Sequence, residues 1–368
     1  MSRIFENGKK AVTGAVLAAV TFLVGCAPAQ TSYNPSGNGI IDVVVPYGTG
    51  GGTDTWARFI TPYFAEKQDA VNRYQVENIP GGESITGTNT YVHAGVQTGN
   101  QVMVASATTY FQSMLGHPAA EFKFSEMEPL AFNGTGAVLW TSDKSGITDI
   151  DSLINHEDEV LYGGMSATGL DLVPLLALEA LGAPVKGVFG MEGRGPSRLA
   201  VQRGETDLDF QTTASYLSQV GPYEETGEAL PLFSVGILED GEVVRDPNLP
   251  EIPTFEEIYQ EYGGKTEEQR KAYEAYRAFV VPGFFYQKGL WANEGTDPAV
   301  VDTYDQMIDE LNADSSFKEE ASSALGGYDL LSGKQNRDEF RKALKIDPEI
   351  MSYTNEILAN KYDAPVHG

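Results

Sequence analysis

Short runs of aliphatic and β-branched residues alternate along the chain with longer segments of helical periodicity. Residues 41–45, 74–77 and 101–105 have the length and composition of strands, and each run leads into a loop and then a helical pattern. In the first of these units, Thr53 or Asp54 is the predicted N-cap of the helix. The alternation predicts an α/β fold in which helices connect parallel strands.

The same alternation starts again near residue 137, which predicts a second α/β domain. The expected strands of this part lie at 137–140, 159–162, 185–189, 206–210 and 278–281. Its expected helices lie at 148–154, 171–181 and 196–203, the last with Pro196 at its first position. Thr254-x-x-Glu257 and Thr266-x-x-Gln269 are capping boxes, so two further helices begin there.

Small and hydroxyl residues follow the first three expected strands. They are residues 47–53 after the first strand, Gly82 and Ser84 after the second, and Ser106, Thr108 and Thr109 after the third. The carboxyl ends of strands are the edge at which open α/β sheets bind ligands. A glycine-rich loop that leads into a helix also presents unpaired N–H groups and the positive end of the helix dipole, so it favours an anion.

The spacing of the first loop limits which anion it suits. The third residue after Gly50 is Thr53 rather than glycine, and no lysine follows the glycines, so neither the dinucleotide fingerprint nor the P-loop is present. A carboxylate is therefore a better candidate than a phosphate. A glycine turn that only closes the strand–helix unit is the alternative.

Residues 1–25 have the pattern of a lipoprotein signal peptide. A basic start is followed by an apolar run at 11–24, and Leu23-Val24-Gly25-Cys26 has the form of a lipobox. We expect cleavage before Cys26, lipid attachment to that cysteine, and a flexible tether over 26–39. Cys26 is the only cysteine, so the chain cannot form an internal disulfide.

The formal net charge of −27 excludes a nucleic-acid partner, since an acidic surface repels phosphate backbones. An acidic protein that captures carboxylates must rely on short-range, preorganised N–H donors, which glycine loops supply. The four histidines show no metal-ligand spacing, so neither a metal nor a cofactor is expected.

Several collinear motifs resemble the extracytoplasmic solute receptors of tripartite tricarboxylate transporters, the Bug family. The first is Val-Pro-Tyr followed by glycines, Asp54 and Ala-Arg at 45–58, and the second is Val-Glu-Asn-Ile-Pro-Gly-Gly at 76–82, where the family has Val-Glu-Asn-Arg-Pro-Gly-Ala-Gly. Further matches lie at 162–163, 193–196, 204–208 and 252–257. The similarity runs from about residue 40 to about residue 331.

The resemblance implies a type II periplasmic binding protein fold, in which two α/β lobes are joined by a two-strand hinge and enclose the ligand cleft. Lobe 1 is expected at 40–138 and 281–368, and lobe 2 at 139–280, with crossings near Leu139 and Val280. The implied function is that of a lipid-anchored extracytoplasmic receptor, in the periplasm or at the outer cell surface. It would deliver a small carboxylate to a large and a small membrane subunit.

By similarity, one carboxylate is held between the loop at 47–53 and the loop at 166–169, with Tyr47 as a wall and Thr108 and Thr109 as hydroxyl donors. The expected ligand contacts are Tyr47, Gly48, Thr49, Gly50, Gly51, Gly52, Thr53, Gly82, Ser84, Ser106, Thr108, Thr109, Ser166, Ala167, Thr168, Gly169 and Asp207. For Asp207, bracing of a strand is favoured over direct contact.

The chain departs from the family pattern in lobe 2. The Ser-His-Leu segment after Tyr162-Gly163 is altered, and Gly-Met-Glu-Gly at 190–193 replaces Pro-Tyr-Lys-Gly. Arg194 or Arg198 can pair with a second carboxylate, or either can be a surface arginine at a helix start. Citrate, a C4 dicarboxylate, an amino acid and an aromatic acid all remain open as ligands.

Two alternative functions remain open. One is a binding protein for another class of transporter. The other is a serine acyl hydrolase, because Gly164-Met165-Ser166 follows a strand as in a nucleophile elbow, although the final glycine of that motif is missing. We expect no enzymatic activity.

Overall fold

The computed structural model describes residues 39–239 and 241–364. The signal peptide, Cys26 and nearly all of the tether lie outside the described residues. Within the described residues, no helix has both the length and the apolar character needed to cross a bilayer.

Two sheets and a series of helices make up the described chain. The strands are β1 Ile40–Val45, β2 Arg73–Asn78, β3 Gln101–Ser106, β4 Glu128–Asn133, β5 Ala137–Ser142, β6 Val160–Gly163, β7 Val185–Val188, β8 Leu208–Thr212, β9 Ala229–Ser234, β10 Ile237–Glu239, β11 Glu242–Val244, β12 Lys288–Ala292 and β13 Leu331–Ser332. The helices are α1 Gly52–Glu66, α2 Ile85–Ala94, α3 Ala107–Met114, α4 Ile150–Ile154, α5 Leu172–Leu181, α6 Arg194–Arg203, α7 Thr213–Gln219, α8 Gly221–Glu225, α9 Phe255–Tyr262, α10 Glu267–Val280, α11 Pro298–Ala313, α12 Ser315–Leu325, α13 Gly333–Ala343 and α14 Pro348–Asn360.

The first sheet has the strand order β13-β4-β12-β3-β1-β2. β1 pairs in parallel with β2 and β3, whereas β12 is antiparallel to β3 and β4. Alternate residues of β1 point to the face that α1 covers, where Trp56, Ile60 and Phe64 are buried with Val43 and Val45. The apolar face of α1 therefore fixes how its first turn sits above the carboxyl ends of these strands.

The second sheet repeats this pattern, with the order β7-β6-β8-β5-β9. β6 is parallel to β7 and β8, and β5 is antiparallel to β8 and β9. In the first sheet the antiparallel strand β12 lies between β3 and β4, and in the second sheet the antiparallel strand β5 lies between β8 and β9. Each of these two strands adjoins a crossing between the sheets. The described chain thus forms two α/β lobes of like topology, called here the first and second lobes after their sheets.

Two adjacent segments connect the lobes. The chain leaves β4 at Asn133 and enters β5 at Ala137, so the crossing comes earlier than the expected position near Leu139, which lies within β5. The predicted strand at 278–281 is wrong, since these residues end α10 and begin a π-helical turn, Val281–Phe285. The Thr135 N–H donates to the Phe284 carbonyl at 2.9 Å, so the two crossings are bonded to each other.

The carboxyl-terminal helices divide between the lobes. Helices α11 and α13 pack on β4 of the first sheet. The last helix, α14, packs on α10, and Tyr362 and Lys361 beyond it bind the Glu179 carboxylate of α5. Part of 281–368 therefore contacts the second lobe, because α10 and α5 present the apolar surface that α14 needs to bury.

The predicted helix starts are confirmed at the two capping boxes and differ at α6. Both capping boxes are present, with Thr254 accepting from the Glu257 N–H and Thr266 from the Gln269 N–H. Helix α6 begins at Arg194 rather than at Pro196, because the chain becomes helical two residues earlier, after Gly193.

Gly87 in α2 sets how closely that helix approaches the end of β1. A Cβ atom there would lie 2.4 Å from the Ile79 carbonyl oxygen and 2.8 Å from Pro46 Cα. We expect Gly87→Ala to lower the free energy of unfolding by about 1–3 kcal/mol, because backbone must shift to admit the methyl group. Urea denaturation measures this. Gly48→Ala is the control, since nothing lies within 4 Å of its added Cβ, and equal stability of the two variants would contradict the packing argument.

Candidate ligand-binding site

The first-lobe glycine loop is anchored by Asp54. Helix α1 begins at Gly52 with Gly51 as its N-cap, which corrects the expected cap at Thr53 or Asp54. The Asp54 carboxylate lies in the first turn and accepts from the Gly50 N–H at 2.8 Å and from Arg58 Nε at 2.9 Å. The N–H of Gly50 is therefore used within the loop and is not free for a ligand.

The remaining donors of this loop lie at the start of α1. The N–H groups of Gly52 and Thr53 have no acceptor among the described residues, and the N-cap makes no side-chain hydrogen bond. Burial acts to raise the pKa of Asp54, but its bonds to Arg58, Gly50 and Asn78 outweigh that effect and hold the pKa below its ordinary value. The charged carboxylate keeps the loop in place and leaves those two N–H groups available to an anion.

Four hydroxyl groups from three strand ends meet on the first lobe. Tyr47 Oη lies 2.6 Å from Thr109 Oγ1, accepts from Ser106 Oγ at 2.7 Å, and is also within hydrogen-bonding reach of Ser84. Burial raises the pKa of Tyr47, although these hydrogen bonds act in the opposite direction, so its hydroxyl stays protonated at neutral pH. The expected residues Tyr47, Ser84, Ser106 and Thr109 thus form one cluster.

The second-lobe loop at 166–169 contacts the first lobe directly. A Cβ atom on Gly169 would lie 3.4 Å from Thr108 Oγ1, so this glycine packs closely against the start of α3. Ala167 and Thr168 are buried, and Ser166 is half-buried. Of the residues expected at the site, the structure brings Thr108, Ser166, Thr168 and Gly169 together between the lobes.

The Glu83 carboxylate lies between the two hydroxyl groups expected to bind a ligand. Ser166 Oγ donates to Glu83 Oε1 at 2.9 Å, and Thr168 Oγ1 donates to Glu83 Oε2 at 3.0 Å. Gln112 Nε2 from α3 donates to the same Oε2 at 2.8 Å. A first-lobe carboxylate is therefore bound by the second-lobe loop, in the manner expected for a ligand.

The backbone around Glu83 has an uncommon conformation. Gly81, Gly82, Glu83 and Ser84 have φ of 136°, 54°, 51° and 80°, a run of left-handed residues in which two are not glycine. Such conformations carry strain for residues with a Cβ and cluster at functional sites. The sequence patterns did not indicate Glu83 as a site residue, although one signal was present: the resembled motif ends in glycine where this chain has Glu83.

Asp171 holds the second-lobe loop in place through hydrogen bonds to its backbone. Its buried carboxylate accepts from the N–H of Met165 at 2.9 Å and of Ser166 at 3.2 Å. Tyr162 Oη and Arg194 Nη2 both donate to its other oxygen at 2.6 Å. These backbone donors are used within the protein, so the loop offers a ligand its hydroxyl groups rather than those N–H groups.

Arg194 forms ion pairs within the second lobe. It pairs with Asp171 and also with Asp209 at 3.4 Å, and its guanidinium lies 4.3 Å from the centre of the Phe210 ring. Burial raises the pKa of Asp209 to about 6, although Arg194 and its other donors act to lower it. Arg198 is half-buried and forms no ion pair within the part of the chain described. Arg194 therefore forms ion pairs with two carboxylates of the protein itself, Asp171 and Asp209.

The positions of Asp207 and Ser166 bear on two further expectations. Asp207 lies just before β8, and its carboxylate accepts from the Leu161 N–H of β6 at 2.7 Å, so it braces the two strands rather than facing the loops. Ser166 Oγ bonds to Glu83 and Thr168, and none of the described histidines contacts it.

Within the described residues, no group of three acidic, histidine or cysteine side chains is arranged to hold a metal.

The sheets and the opposed loops define the class of fold, that of a type II periplasmic binding protein with two α/β lobes. No protein-family model and no curated protein matches the sequence. Among solved structures, the chain is similar to a TctC solute-binding protein from Polaromonas, with 15% identity and a TM-score of 0.62 over 86% of this chain and 98% of that one.

Two more solved structures are similar. The periplasmic binding protein BugD has 18% identity and a TM-score of 0.59, over 86% of this chain and 96% of that one. MatC from Rhodopseudomonas palustris, solved with bound malate, has 20% identity and a TM-score of 0.58, over 87% and 98%. At these identities the likeness establishes the fold. It confirms the fold that the sequence motifs predicted.

Replacing Arg194 by Met tests its structural role. The variant leaves Asp171 and Asp209 buried without their cation, which costs about 3–5 kcal/mol in comparable pairs. We expect a loss of that size in the free energy of unfolding, measured by urea denaturation. Arg198→Met is the matched control and should change stability by less than about 0.5 kcal/mol. Equal effects of the two substitutions would show that the Arg194 ion pairs are not important for stability.

Replacing Glu83 by Ala tests the bridge between the lobes. Removal of its carboxylate leaves Ser166, Thr168 and Gln112 without their shared acceptor, so we expect several-fold faster amide hydrogen exchange over 166–169 in the ligand-free protein. Glu77→Ala removes the same charge from an exposed position of β2 and should leave that exchange unchanged. Identical exchange in both variants would mean that Glu83 does not hold the loop.

Proposed function

We propose that the chain is an extracytoplasmic solute-binding receptor that captures a small carboxylate between its lobes. The observation that carries the proposal is the Glu83 carboxylate, which the loop at 166–169 and Gln112 bind through three hydrogen bonds. That loop and α3 thus already have the donor arrangement that a carboxylate requires. A free acid competes with Glu83 for these donors.

The first lobe supplies the opposite side of the cleft. The free N–H groups of Gly52 and Thr53 and the hydroxyl cluster around Tyr47 are short-range donors, which suit a protein of strongly negative charge. The malate bound to MatC is a carboxylate, and it supports this choice of ligand class. Ligand that touches both lobes would favour the closed arrangement over the open one.

The delivery step rests on the sequence motifs. The resemblance to tripartite tricarboxylate receptors supports a partnership with a large and a small membrane subunit. The lipobox supports a lipid anchor on Cys26, which would hold the receptor at the membrane surface outside the cytoplasm. A receptor for another class of transporter would use the same cleft. The acyl hydrolase is disfavoured, because Ser166 bonds to the Glu83 carboxylate and the Thr168 hydroxyl, and no described histidine or lysine contacts it to activate it.

A thermal-shift screen of the purified protein against mono-, di- and tricarboxylates, amino acids and aromatic acids tests the proposal. An acid that binds only the folded state adds about 2.7 kcal/mol at a hundred times its Kd, so the midpoint should rise clearly. Ser166→Ala should weaken the response, whereas Ser218→Ala, on an exposed face of α7, should not. If no acid shifts the midpoint, the carboxylate proposal is wrong.

A further inference from the structure

Three polar side chains lie side by side where the first sheet meets the cleft. Lys288 begins β12 and pairs with Ser106 of β3 on one side and Asn133 of β4 on the other. Directly paired residues of antiparallel strands project from the same face with Cβ atoms about 4.5–5.5 Å apart. This is the face covered by α1, since Leu290 and Val104, two residues along their strands, are buried against Trp56.

Lys288 is a half-buried cation without a carboxylate. Its Nζ donates to Gln287 Oε1 at 2.6 Å, and no acidic group of the described chain lies within ion-pair distance. Burial lowers the pKa of Lys288 to about 8, and no charged neighbour contributes to that shift. Its two paired residues, Ser106 of β3 and Asn133 of β4, are uncharged, and so is its hydrogen-bond partner Gln287. Tyr47, which bonds to Ser106, titrates above its ordinary pKa.

Asn133 has a donor that nothing accepts. The residue is 2% exposed, and its Oδ1 accepts from Trp56 Nε1 of α1 at 3.2 Å. An indole N–H can only donate, so this bond fixes which end of the amide faces the tryptophan. The opposite end, Nδ2, is buried without a hydrogen-bond partner. A buried donor without an acceptor usually costs about 1–3 kcal/mol, so an acceptor that reached Asn133 Nδ2 would remove that cost.

We propose that Lys288 and Asn133, together with Ser106, form a carboxylate subsite on the first lobe. The Lys288 ammonium group and the Asn133 amide N–H lie on neighbouring strands and both need an acceptor, and one carboxylate satisfies both because it is negative and has two acceptor oxygens. Ser106, whose O–H donates to Tyr47, borders the subsite on the other side of Lys288. The inference rests on the proposed function and deepens it. The subsite is separate from the second-lobe donors that Glu83 occupies, so a carboxylate held here does not compete with Glu83, whereas a carboxylate on the second-lobe loop does.

The subsite predicts a pH dependence that other donors of the cleft do not share. Lys288 is charged below about pH 8 and loses its proton above it, whereas Asn133 and Ser106 do not titrate. Affinity for the ligand carboxylate should therefore be constant at lower pH and fall about tenfold per pH unit above about 8, until the raised pKa of the complex is reached.

The test is calorimetric titration of the purified full chain with acetate, malate, glutamate and benzoate between pH 6 and 10. Lys288→Met should weaken binding of the acid that binds by at least about tenfold and abolish the fall above pH 8. Lys265→Met, at an exposed position that makes no ion pair, is the control and should match the unmodified protein. Melting midpoints confirm that both variants fold.

Asn133→Asp provides a second test that keeps the shape of the site. The new carboxylate still accepts from Trp56 and supplies Lys288 with an internal partner, so the acid should no longer bind although the midpoint is kept or raised. If an acid binds but Lys288→Met changes neither affinity nor pH profile, the subsite is wrong and the receptor proposal stands. If no acid binds the unmodified protein, either in this titration or in the wider thermal-shift screen, both are wrong.

Discussion

One buried carboxylate, that of Asp171, determines the form of the second-lobe loop. It binds two backbone N–H groups of that loop, the Tyr162 hydroxyl and the Arg194 guanidinium. A buried charge is stable only when such donors surround it, so the loop, β6 and α6 are fixed relative to one another. The hydroxyl groups of Ser166 and Thr168 are consequently presented to the first lobe with little freedom, which limits the entropy lost when an acceptor binds.

The same principle separates the buried anions of this protein from its buried cation. Asp54, Asp171 and Asp209 each have an arginine and further donors, and the buried Asp246 accepts hydrogen bonds from Thr213, Asn248 and Tyr328. Lys288 has only an amide oxygen, in a chain whose formal charge is −27. An acidic protein has many carboxylates with which a lysine could pair. A half-buried lysine that is kept apart from all of them is a feature of the cleft edge rather than of the surface.

Local pattern predicted the elements better than it predicted the contacts between them. The strands β1 to β3 and both capping boxes were found because periodicity and cap residues act over a few positions. The apolar run at 278–281 was mistaken for a strand, since a short run on the buried face of α10 has no period of its own. Glu83 binds a loop that is distant in sequence, and Arg194 pairs with carboxylates 15 and 23 positions away, so no local pattern reveals these partners. The one sequence signal was Glu83 itself, at a position where the resembled motif has glycine.

For the proposed receptor function, the tethering of Glu83 affects the concentration of acid at which the protein responds. A carboxylate held on the same chain acts at an effective concentration on the order of millimolar, and it never diffuses away. A free acid that needs the same donors must exceed this internal competitor, so its apparent affinity is reduced by the fraction of molecules in which Glu83 is already bound. The left-handed segment from Gly81 to Ser84, which holds Glu83 against these donors, would thereby set the concentration that a competing acid has to exceed.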